Sequence, residues 1–446
     1  MLKRPVASLI CTKLFSVRTT TAAVARTMKL SEDQMSLVMR PGVVTLSSLF
    51  EKHNHELRIA GGAVRDLLRG LNPHDLDFAT TATPTEMKKM FEEEGIRMIN
   101  ETGEKHGTIT ARIEEENFEC TTLRIDIRTD GRHAEVQFTK DWYLDANRRD
   151  LTFNSLFLGF DGTVYDYFNG KEHLDEHRVE FVGAPADRIQ EDYLRILRYY
   201  RFYGRIAKEP DAHMQHVIDA ITSNADGLTR ISGERIWMEL QKIAVGNFAG
   251  ELLEKMLECK LGPYMGLPDD YAADNCVKVV ERCRASLIDP LALQPMTVLA
   301  AGFTDVEKTF PFIARIRCSK KERELLVFVV QHRDEVMEAT SVKVAQDLLA
   351  DLVIDEKINL GLAMLRVSEL LRYCGQAAQL TELEAWTLPP FPVKGGMIAD
   401  KLDNKRMIKF VLKHLLELWK KSDFLLTADE LIESVEAIQE KLRTKI

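Results

Sequence analysis

A glycine pair followed closely by two aspartates is the feature that most restricts how this chain can fold. Residues 57–60 predict a short strand and residues 63–69 predict a helix. Gly61 and Gly62 therefore lie at a strand-to-helix turn. Glycine at such a turn lets backbone or ligand approach closely, and the unpaired N–H groups of a helix N-terminus suit a phosphate. The sequence predicts a phosphate-binding turn within an α/β unit.

A second strand is predicted to begin near Asp75. Side chains at positions i and i+2 of a strand point to the same face, so Asp75 and Asp77 are predicted to lie side by side, with Phe78 on the other face. Adjacent carboxylates repel each other unless a cation lies between them, and a pair of Mg²⁺ ions about 3.5–4 Å apart meets this need. With the glycine turn, the aspartates predict metal-assisted nucleotidyl transfer. The alternative is a solvated surface loop.

A basic cluster at residues 148–155 supplies groups that bind phosphate and ribose. Its two arginines, Arg148 and Arg149, can bind phosphate oxygens. With Asp150 and Asn154 beside them, the cluster can also bind the ribose hydroxyls that distinguish an RNA precursor from a deoxyribonucleotide. The alternative is an ion-pair cluster at the protein surface.

The segment 191–202 is predicted to be one helix that selects the nucleotide base. On that helix Asp192 and Arg195 are neighbours at positions i and i+3, and Arg198 and Arg201 continue the row. Asp192 can accept from the exocyclic amine of cytosine or adenine while Arg195 donates to the ring nitrogen beside it. Uracil and guanine mismatch both contacts, and such a polar site can discriminate by about 10⁴–10⁵. The alternative is a solvated salt-bridge face, in which each pair contributes about 0.2–0.5 kcal/mol.

The composition is that of an ordinary globular protein. The chain has 446 residues, of which 45% are hydrophobic and 29% are charged. That length is enough for about two to four domains with cores of their own. It contains no run of about 18 apolar residues, so no membrane-spanning segment is predicted. The seven cysteines form no C-x-x-C pair, which predicts free thiols in a reducing compartment and no zinc site.

The N-terminal segment differs from the rest of the chain. Residues 1–27 contain five basic residues, many Ser and Thr, and no acidic residue, which is typical of a mitochondrial transit peptide. The alternative is an ordinary disordered tail. Met28 offers a second start that omits the signal, so a cytosolic or nuclear form is also predicted. Without residues 1–27 the formal net charge changes from −9 to −14, so any contact with RNA must use a local basic surface.

The remaining pattern predicts an α/β head followed by an all-α arm. Up to about residue 170 the sequence mixes helices with strands, for example at 108–113 and 118–123. An Asp-Gly turn between two alternating runs predicts a hairpin at 124–138. Because this hairpin is polar on both faces, we expect a mobile loop rather than core sheet. From about residue 186 apolar residues recur at helical spacing almost to the end.

With these clusters in this order, the chain resembles the class II tRNA nucleotidyltransferases, the CCA-adding enzymes of bacteria and eukaryotes. It is particularly similar to the mitochondrial and cytosolic form of animals. The motifs G-G-x-V-R-D with D-x-D, R-R-D and E-D-x-x-R carry the resemblance. It implies catalytic and metal-binding roles for Asp75 and Asp77. It implies nucleotide-binding roles for Gly61, Gly62, Arg65, Arg148, Arg149, Asp150, Asn154, Glu191, Asp192, Arg195, Arg198 and Arg201.

The resemblance also implies a fold, a reaction and its partners. The head is expected to have the polymerase-beta-like nucleotidyltransferase fold with a mixed sheet. The reaction joins CTP or ATP to the 3′ hydroxyl of a tRNA that lacks its CCA end, releases pyrophosphate and uses Mg²⁺. The oligomeric state, monomer or homodimer, and a role for Glu119 as a third carboxylate stay open. The implied organisation is a transit peptide at 1–27, a head at 28–170, a helical neck with the nucleotide-selecting helix at 171–275, a helical body at 276–385 and a tRNA-binding tail at 386–446.

Two other functions are compatible with these motifs. A template-independent poly(A) polymerase of the same superfamily shares the glycine turn, both catalytic aspartates and the pair Asp192 and Arg195. A catalytically inactive RNA-binding relative would keep the fold without the chemistry. The intact carboxylates and arginines argue against the inactive relative. The transit peptide and the resemblance along the whole chain favour CCA addition over poly(A) addition.

Overall fold

A computed structural model describes residues 24–99, 101–129 and 134–443 of the chain. The chain forms two compact units. The first unit, here called the head, ends at Asp192, and the second, here called the arm, begins at Tyr193. The head mixes strands with helices, whereas the described part of the arm is helical. The predicted fold class is therefore confirmed.

The head contains a mixed sheet of eight strands and a separate sheet of two strands. The strands are β1 (Arg26–Lys29), β2 (Leu57–Ala60), β3 (Asp77–Thr80), β4 (Arg97–Ile99), β5 (Thr108–Ile113), β6 (Glu116–Thr122), β7 (Arg124–Thr129), β8 (Ala134–Phe138), β9 (Phe157–Leu158) and β10 (Thr163–Asp166). The order in the large sheet is β1-β10-β9-β2-β3-β6-β5-β4. All its neighbouring pairs are antiparallel except β3 and β6. Strands β7 and β8 form the predicted hairpin, whose turn lies outside the described residues.

Seven helices accompany these sheets in the described part of the head. They are α1 (Glu32–Ser36), α2 (Pro41–Lys52), α3 (Gly62–Leu68), α4 (Pro84–Glu93), α5 (Trp142–Asn147), α6 (Gly170–Asp175) and α7 (Pro185–Glu191). Helix α4 begins where local sequence dictates, because Thr83 and Glu86 form a capping box around Pro84. Its apolar face places Phe91 edge-on to Phe50 of α2, with ring centroids 6.0 Å apart. Both helices contact β5, which fixes them against the sheet.

Strand β1 extends across the predicted end of the transit peptide. Its four residues pair in register with β10, from Arg26 opposite Asp166 to Lys29 opposite Thr163. The folded head therefore includes Arg26 and Thr27, which the predicted boundary after residue 27 placed in the transit peptide.

A chain that begins at Met28 is expected to be less stable than one that begins at Val24. It loses two of the four register pairs of β1, and each cross-strand pair contributes about 0.2–1 kcal/mol. We expect scanning calorimetry to show a thermal midpoint about 2–4 °C lower for the head. Arg26→Ala in the longer chain is the matched control, because it removes only the exposed ion pair with Glu172, a contact of small value. Equal midpoints for the two chains would show that the pairs made by Arg26 and Thr27 contribute nothing to stability.

The arm consists of helices in its described residues. They are α8 (Arg195–Ile206), α9 (Gln215–Ser223), α10 (Gly233–Ala244), α11 (Ala249–Glu258), α12 (Gly262–Met265), α13 (Asp274–Ala285), α14 (Pro295–Leu299), α15 (Thr309–Ile316), α16 (Lys320–Glu338), α17 (Lys343–Ala350), α18 (Leu360–Cys374), α19 (Ala377–Ala385), α20 (Gly395–Ile398), α21 (Ile408–Lys421), α22 (Ala428–Glu433) and α23 (Val435–Arg443). Capping boxes of Ser/Thr with Glu begin α16, at Ser319 and Glu322, and α22, at Thr427 and Glu430. No helix in the described ranges has the length and apolar character that crossing a membrane requires.

The last helices of the arm enclose a hydrophobic cluster of their own. Trp419 of α21 is buried at its centre. Phe391 and Phe424 pack edge-on to this ring, with centroids 5.3 Å and 5.0 Å away. This cluster fixes α21 and so determines the surface that its basic residues form.

Candidate active site

The predicted strand-to-helix turn joins β2 to α3. Gly61 has a φ of +64°, a backbone conformation that glycine adopts without steric cost. A Cβ atom at Gly61 would lie 3.1 Å from Nη1 of Arg149 and 3.4 Å from the backbone oxygen of Asn154. Glycine is therefore needed here both for the backbone conformation and for the close approach of the basic cluster.

Arg65 is nearly buried, with 4% of its surface exposed, and it is oriented by two partners. Its Nε and Nη2 donate to the carboxylate of Asp66 at 2.9 Å and 3.0 Å. Its Nη1 donates to Oδ1 of Asn154 at 2.9 Å. Nδ2 of Asn154 in turn donates to Oδ1 of Asp150 at 3.3 Å. These hydrogen bonds join the G-G-x-V-R-D motif and the R-R-D cluster into one network.

Asp75 and Asp77 do not lie on one strand. The sequence predicted a strand beginning near Asp75, whereas β3 begins at Asp77. The predicted boundary is wrong because Asp77 pairs with Ala60, the last residue of β2. The chain turns away at Gly61, so β2 offers no partner beside Asp75. The two aspartates nevertheless line the same cavity.

That cavity is open, has a volume of about 560 Å³, and is rich in carboxylates. Glu119 of β6 lies opposite Asp77 in the parallel register and lines the cavity with Asp75 and Glu116. Arg40 forms an ion pair with Glu116 at 2.9 Å, which offsets the charge of one of the four carboxylates that line the cavity.

The electrostatics at Asp77 suit a bound cation. Its side chain is accessible from the cavity, yet desolvation by the surrounding protein raises its pKa above the ordinary value, while Arg149 opposes this rise and Asp75 adds to it. A cation between Asp75 and Asp77 would relieve their repulsion. Within the described residues, no group of three or more His, Cys, Asp or Glu side chains is arranged to hold a metal. The pair fits Mg²⁺, which is commonly bound by one or two carboxylates together with substrate phosphates.

Arg148 and Arg149 follow helix α5 and are held by a buried carboxylate, Asp145. Nε of Arg148 donates to Oδ1 of Asp145 at 2.8 Å, and Nη2 of Arg149 donates to Oδ2 at 3.1 Å. Nη1 of Arg149 also donates to the backbone oxygen of Asn154 at 3.2 Å. The guanidinium of Arg149 lies 4.8 Å from the ring centre of Phe157. The basic cluster is thus fixed beside the glycine turn.

The segment 191–202 is not one helix. Asp192 directly follows α7 and has an extended backbone, with φ −152° and ψ 105°, and α8 begins only at Arg195. The prediction of a continuous helix is therefore wrong, and Tyr193, which lies between the two helices, packs against Gly227. A Cβ atom on Gly227 would lie 1.8 Å from the Tyr193 ring, so the ring occupies the space that a side chain would take. Aspartate also favours caps and turns over helix interiors.

The residues of the E-D-x-x-R motif belong to different units. In the head, Glu191 ends α7 and forms an ion pair with Arg188 at 2.6 Å. In the arm, the predicted nucleotide-contacting arginines all lie on α8: Arg195, Arg198 and Arg201. Glu239 of α10 lies 3.1 Å from Nε of Arg201 and 4.0 Å from Nη1 of Arg198. Glu239 of α10 therefore orients two of the three arginines of α8, Arg198 and Arg201.

Two buried carboxylates that hold arginines were not predicted from the sequence. Asp145 is 1% exposed and Glu239 is 6% exposed. Asp145 precedes the R-R pair by three and four residues, the spacing at which helix neighbours meet, so the sequence did contain that signal. Glu239 lies 38 residues from Arg201, and only the tertiary structure brings these two together.

Two family models match the chain. The Poly A polymerase head domain matches residues 57–180. A model described as the probable RNA and SrmB- binding site of polymerase A matches residues 215–266. The first match covers the glycine turn, the aspartates and the R-R-D cluster, and the second lies within the arm.

Whole-chain comparisons agree with these matches. The chain is 49% identical over 407 residues to CCA tRNA nucleotidyltransferase 1, mitochondrial, of Homo sapiens, covering 91% of this chain and 92% of that protein. It is 35% identical over 222 residues to the CCA-adding enzyme of Bacillus subtilis, covering 49% of this chain and 53% of that protein. The solved structure of the Bacillus stearothermophilus CCA-adding enzyme in complex with CTP has the same fold, with a TM-score of 0.65, 23% identity, and coverage of 92% of this chain and 100% of that chain. The chain therefore belongs to the CCA tRNA nucleotidyltransferase family of enzymes.

Proposed function

We propose that this enzyme adds C, C and A in turn to the 3′ end of a tRNA that lacks them, using CTP and ATP and releasing pyrophosphate. One observation carries the proposal: Asp75 and Asp77 line one open cavity, while Arg149 lies against the turn at Gly61. Groups that bind phosphate thus lie in the same head as carboxylates that suit a divalent cation. The human relative is named a CCA tRNA nucleotidyltransferase and the Bacillus subtilis relative a CCA-adding enzyme, which supports the addition of CCA to tRNA.

The head residues bind and orient the triphosphate. Arg148 and Arg149 are fixed by Asp145, so little reorganisation is needed when the phosphates bind. Asp150 and Asn154, which are hydrogen-bonded to each other, are the proposed contacts to the ribose hydroxyls. In-line displacement needs little covalent help from a protein, so positioning and charge neutralisation supply the catalysis.

Asp75 and Asp77 are the proposed ligands of two Mg²⁺ ions. When bound, this metal pair supplies charge neutralisation for the triphosphate and activation of the attacking 3′ hydroxyl oxygen. Asp77 is held at the sheet by its register with Ala60 and Glu119. Glu119 lines the same cavity and adds negative charge to it.

Base selection is proposed to depend on Asp192 and Arg195, three residues apart in the chain. The carboxylate accepts from the exocyclic amine of cytosine or adenine, and the guanidinium donates to the ring nitrogen beside that amine. Because the backbone at Asp192 is extended, helix geometry does not determine where this carboxylate lies. Glu191, Arg198 and Arg201 are the remaining proposed nucleotide contacts.

The last part of the arm offers a basic groove for tRNA. The groove has a volume of about 860 Å³ and an apolar floor that includes Phe391 and Leu412. Its cations are Lys357, Lys394, Lys405, Arg406, Lys409 and Lys413. Asp355 is its one carboxylate and pairs with Lys413 at 3.5 Å. Because the protein as a whole is acidic, it must bind RNA through a local basic surface, and this groove supplies one.

The double variant Lys405→Glu, Lys409→Glu is expected to weaken binding of a tRNA transcript by about tenfold or more, because it reverses two charges facing the phosphate backbone. Filter binding at several salt concentrations measures this, and the slope of log affinity against log salt should fall by about 1 for each lysine–phosphate interaction that the variant removes. Lys401→Glu is the control, because Lys401 is exposed on the same segment but does not line the groove. Equal affinity for the double variant and the control would exclude the groove as the tRNA-binding surface.

The full chain is proposed to act in mitochondria, with a second form starting at Met28 in the cytosol or nucleus. The basic, acid-free segment 1–27 and the mitochondrial designation of the human relative support this. A fluorescent fusion of the full chain should localise to mitochondria, and the same fusion beginning at Met28 should not. Mitochondrial import of the shorter fusion would contradict the proposal.

The chemistry is tested by measuring pyrophosphate and nucleotide incorporation in one reaction. With a transcript ending at the discriminator base, CTP, ATP and Mg²⁺, we expect one pyrophosphate for each nucleotide added. EDTA should stop both processes. Incorporation that persists in EDTA, or that releases no pyrophosphate, would contradict this mechanism. The description of the matching head domain also supports poly(A) addition as a second candidate, and that reaction would run on ATP alone.

A further inference from the structure

The carboxylate of Asp145 joins the nucleotide-binding arginines to the hairpin formed by β7 and β8. Oδ2 accepts from Nε and Nη2 of Arg149 at 3.2 Å and 3.1 Å. Oδ1 accepts from Nε of Arg148 at 2.8 Å and from the backbone N–H of Arg124 at 3.1 Å. Arg124 is the first residue of β7. One buried carboxylate therefore contacts both arginines and the first residue of the hairpin.

The charge balance around Asp145 makes this contact sensitive to an anion. Burial alone raises the pKa of Asp145, but Arg148 and Arg149 outweigh burial and the resulting pKa lies below the ordinary value. Burial also lowers the pKa of Arg124, and the neighbouring Arg148 lowers it further, while Asp126 opposes this. Three guanidinium groups thus share the nearby carboxylates of Asp126 and Asp145. A bound triphosphate would compete with Asp145 for two of those guanidinium groups.

The start of the hairpin is tied to the strand that carries Asp77. The backbone N–H of Leu123 donates to the oxygen of Thr80, the last residue of β3, at 2.8 Å, and the N–H of Thr139 donates to the oxygen of Leu123 at 2.9 Å. These bonds close the base of the hairpin, and the Arg124 bond to Asp145 connects that base to the arginines.

We propose that Asp145 is a positioning residue that orients Arg148 and Arg149 and couples their occupancy by the nucleotide triphosphate to the hairpin at Arg124. This inference rests on the proposed function, because it takes the two arginines to bind the triphosphate. When the phosphates share the positive charge of the arginines, Asp145 keeps its bonds to both of them but is less neutralised, so it binds the Arg124 N–H more strongly. The hairpin base therefore tightens when nucleotide is bound.

Asp145→Asn tests the positioning role with little change of size. Only the oxygen of the asparagine amide can accept a hydrogen bond. Its NH2 group must therefore face either the donors of Arg149 or the donors of Arg148 and Arg124, and the contacts on that side are lost. We expect the KM for CTP to rise by about tenfold to 100-fold, with a smaller change in kcat. Asp141→Asn is the control on the same helix, because Asp141 is exposed, caps α5 through Tyr143, and asparagine caps equally well. A KM for Asp145→Asn within about twofold of that control would refute the positioning role.

Hydrogen exchange tests the coupling, with CTP and Mg²⁺ as the probe and no tRNA present. CTP should slow exchange in the peptide spanning 123–126 of the wild type, and this response should be absent from Asp145→Asn. If CTP does not slow exchange in the wild type, the coupling is refuted, whether or not the variant folds. If a folded Asp145→Asn variant responds to CTP as the wild type does, the coupling is refuted as well. Addition to a tRNA transcript is measured in parallel. A wild type that adds no nucleotide contradicts the proposed function, whereas normal addition without the exchange response contradicts only the coupling.

Discussion

Replacing Asp77 with asparagine is expected to reduce nucleotide addition by about 10³-fold or more, while the protein stays folded. Asp77 is the first residue of β3 and lines the carboxylate-rich cavity with Asp75. The substitution keeps the side-chain shape and removes the charge that would hold a divalent cation against the triphosphate. Single-turnover extension of a tRNA transcript measures the loss. Binding of tRNA should be retained, because phosphate contacts depend on basic residues rather than on this carboxylate.

The same substitution should leave stability unchanged or increase it. The pKa of Asp77 is raised mainly by desolvation, with Arg149 opposing and Asp75 adding. A carboxyl group whose pKa is higher in the folded than in the unfolded state favours folding when protonated, so its contribution becomes less favourable as pH rises through that range. Asp77→Asn removes this effect at neutral pH. A thermal midpoint equal to or above that of the wild type, together with lost activity, would show that Asp77 acts in catalysis and is not needed for stability.

Glu116→Gln is the matched control for Asp77. It removes a carboxylate from the same cavity, but one that is paired with Arg40 at 2.9 Å. An exposed ion pair of this kind contributes at most about 1 kcal/mol, so we expect less than about a fivefold change in rate. Comparable losses for Asp77→Asn and Glu116→Gln would contradict a specific role for Asp77.

Replacing Asp192 with alanine is expected to lower the preference for CTP over UTP by about 100-fold or more. A carboxylate accepts from the amine of cytosine or adenine but meets the carbonyl of uracil or guanine, and alanine removes this distinction. Competition between CTP and UTP for one tRNA transcript measures the ratio directly. The rate with CTP should also fall, because the correct base loses a hydrogen bond.

Asp187→Ala is the control for Asp192. Asp187 lies in the first turn of α7, so its replacement removes a nearby negative charge without touching the proposed base contact. We expect selectivity in this control to equal that of the wild type. A folded, active Asp192→Ala variant that still excludes UTP would refute base selection by that carboxylate.

Local sequence predicted the elements that depend on neighbouring residues alone. The strands at 57–60 and 108–113 are observed as β2 and β5, because alternating apolar residues and flanking turns determine such strands within a few residues. The hairpin at 124–138 is observed as β7 and β8 for the same reason. The glycine turn is also observed, since positive φ at Gly61 is a property that the local residue type decides.

The two wrong predictions depended on partners distant in sequence. Strand β3 begins at Asp77 because its partner strand β2 ends at Ala60. The residues next to Asp75 in the sequence do not reveal where β2 ends. At the break after α7, Tyr193 packs against Gly227, which lies 34 residues further along the chain. Periodicity along one segment contains no information about either contact. By contrast, the link from Asp145 to Arg148 and Arg149 is a helix-spacing contact that the sequence could have predicted.

The most direct test of the central claim is the length of the product that the full chain makes on a tRNA transcript ending at the discriminator base. Each nucleoside triphosphate is supplied alone with Mg²⁺, then CTP with ATP, and products are separated at single-nucleotide resolution. We predict two additions with CTP alone, a third only when ATP is also present, and none with UTP or GTP. A long ladder with ATP alone, or no extension by the folded protein, would contradict CCA addition.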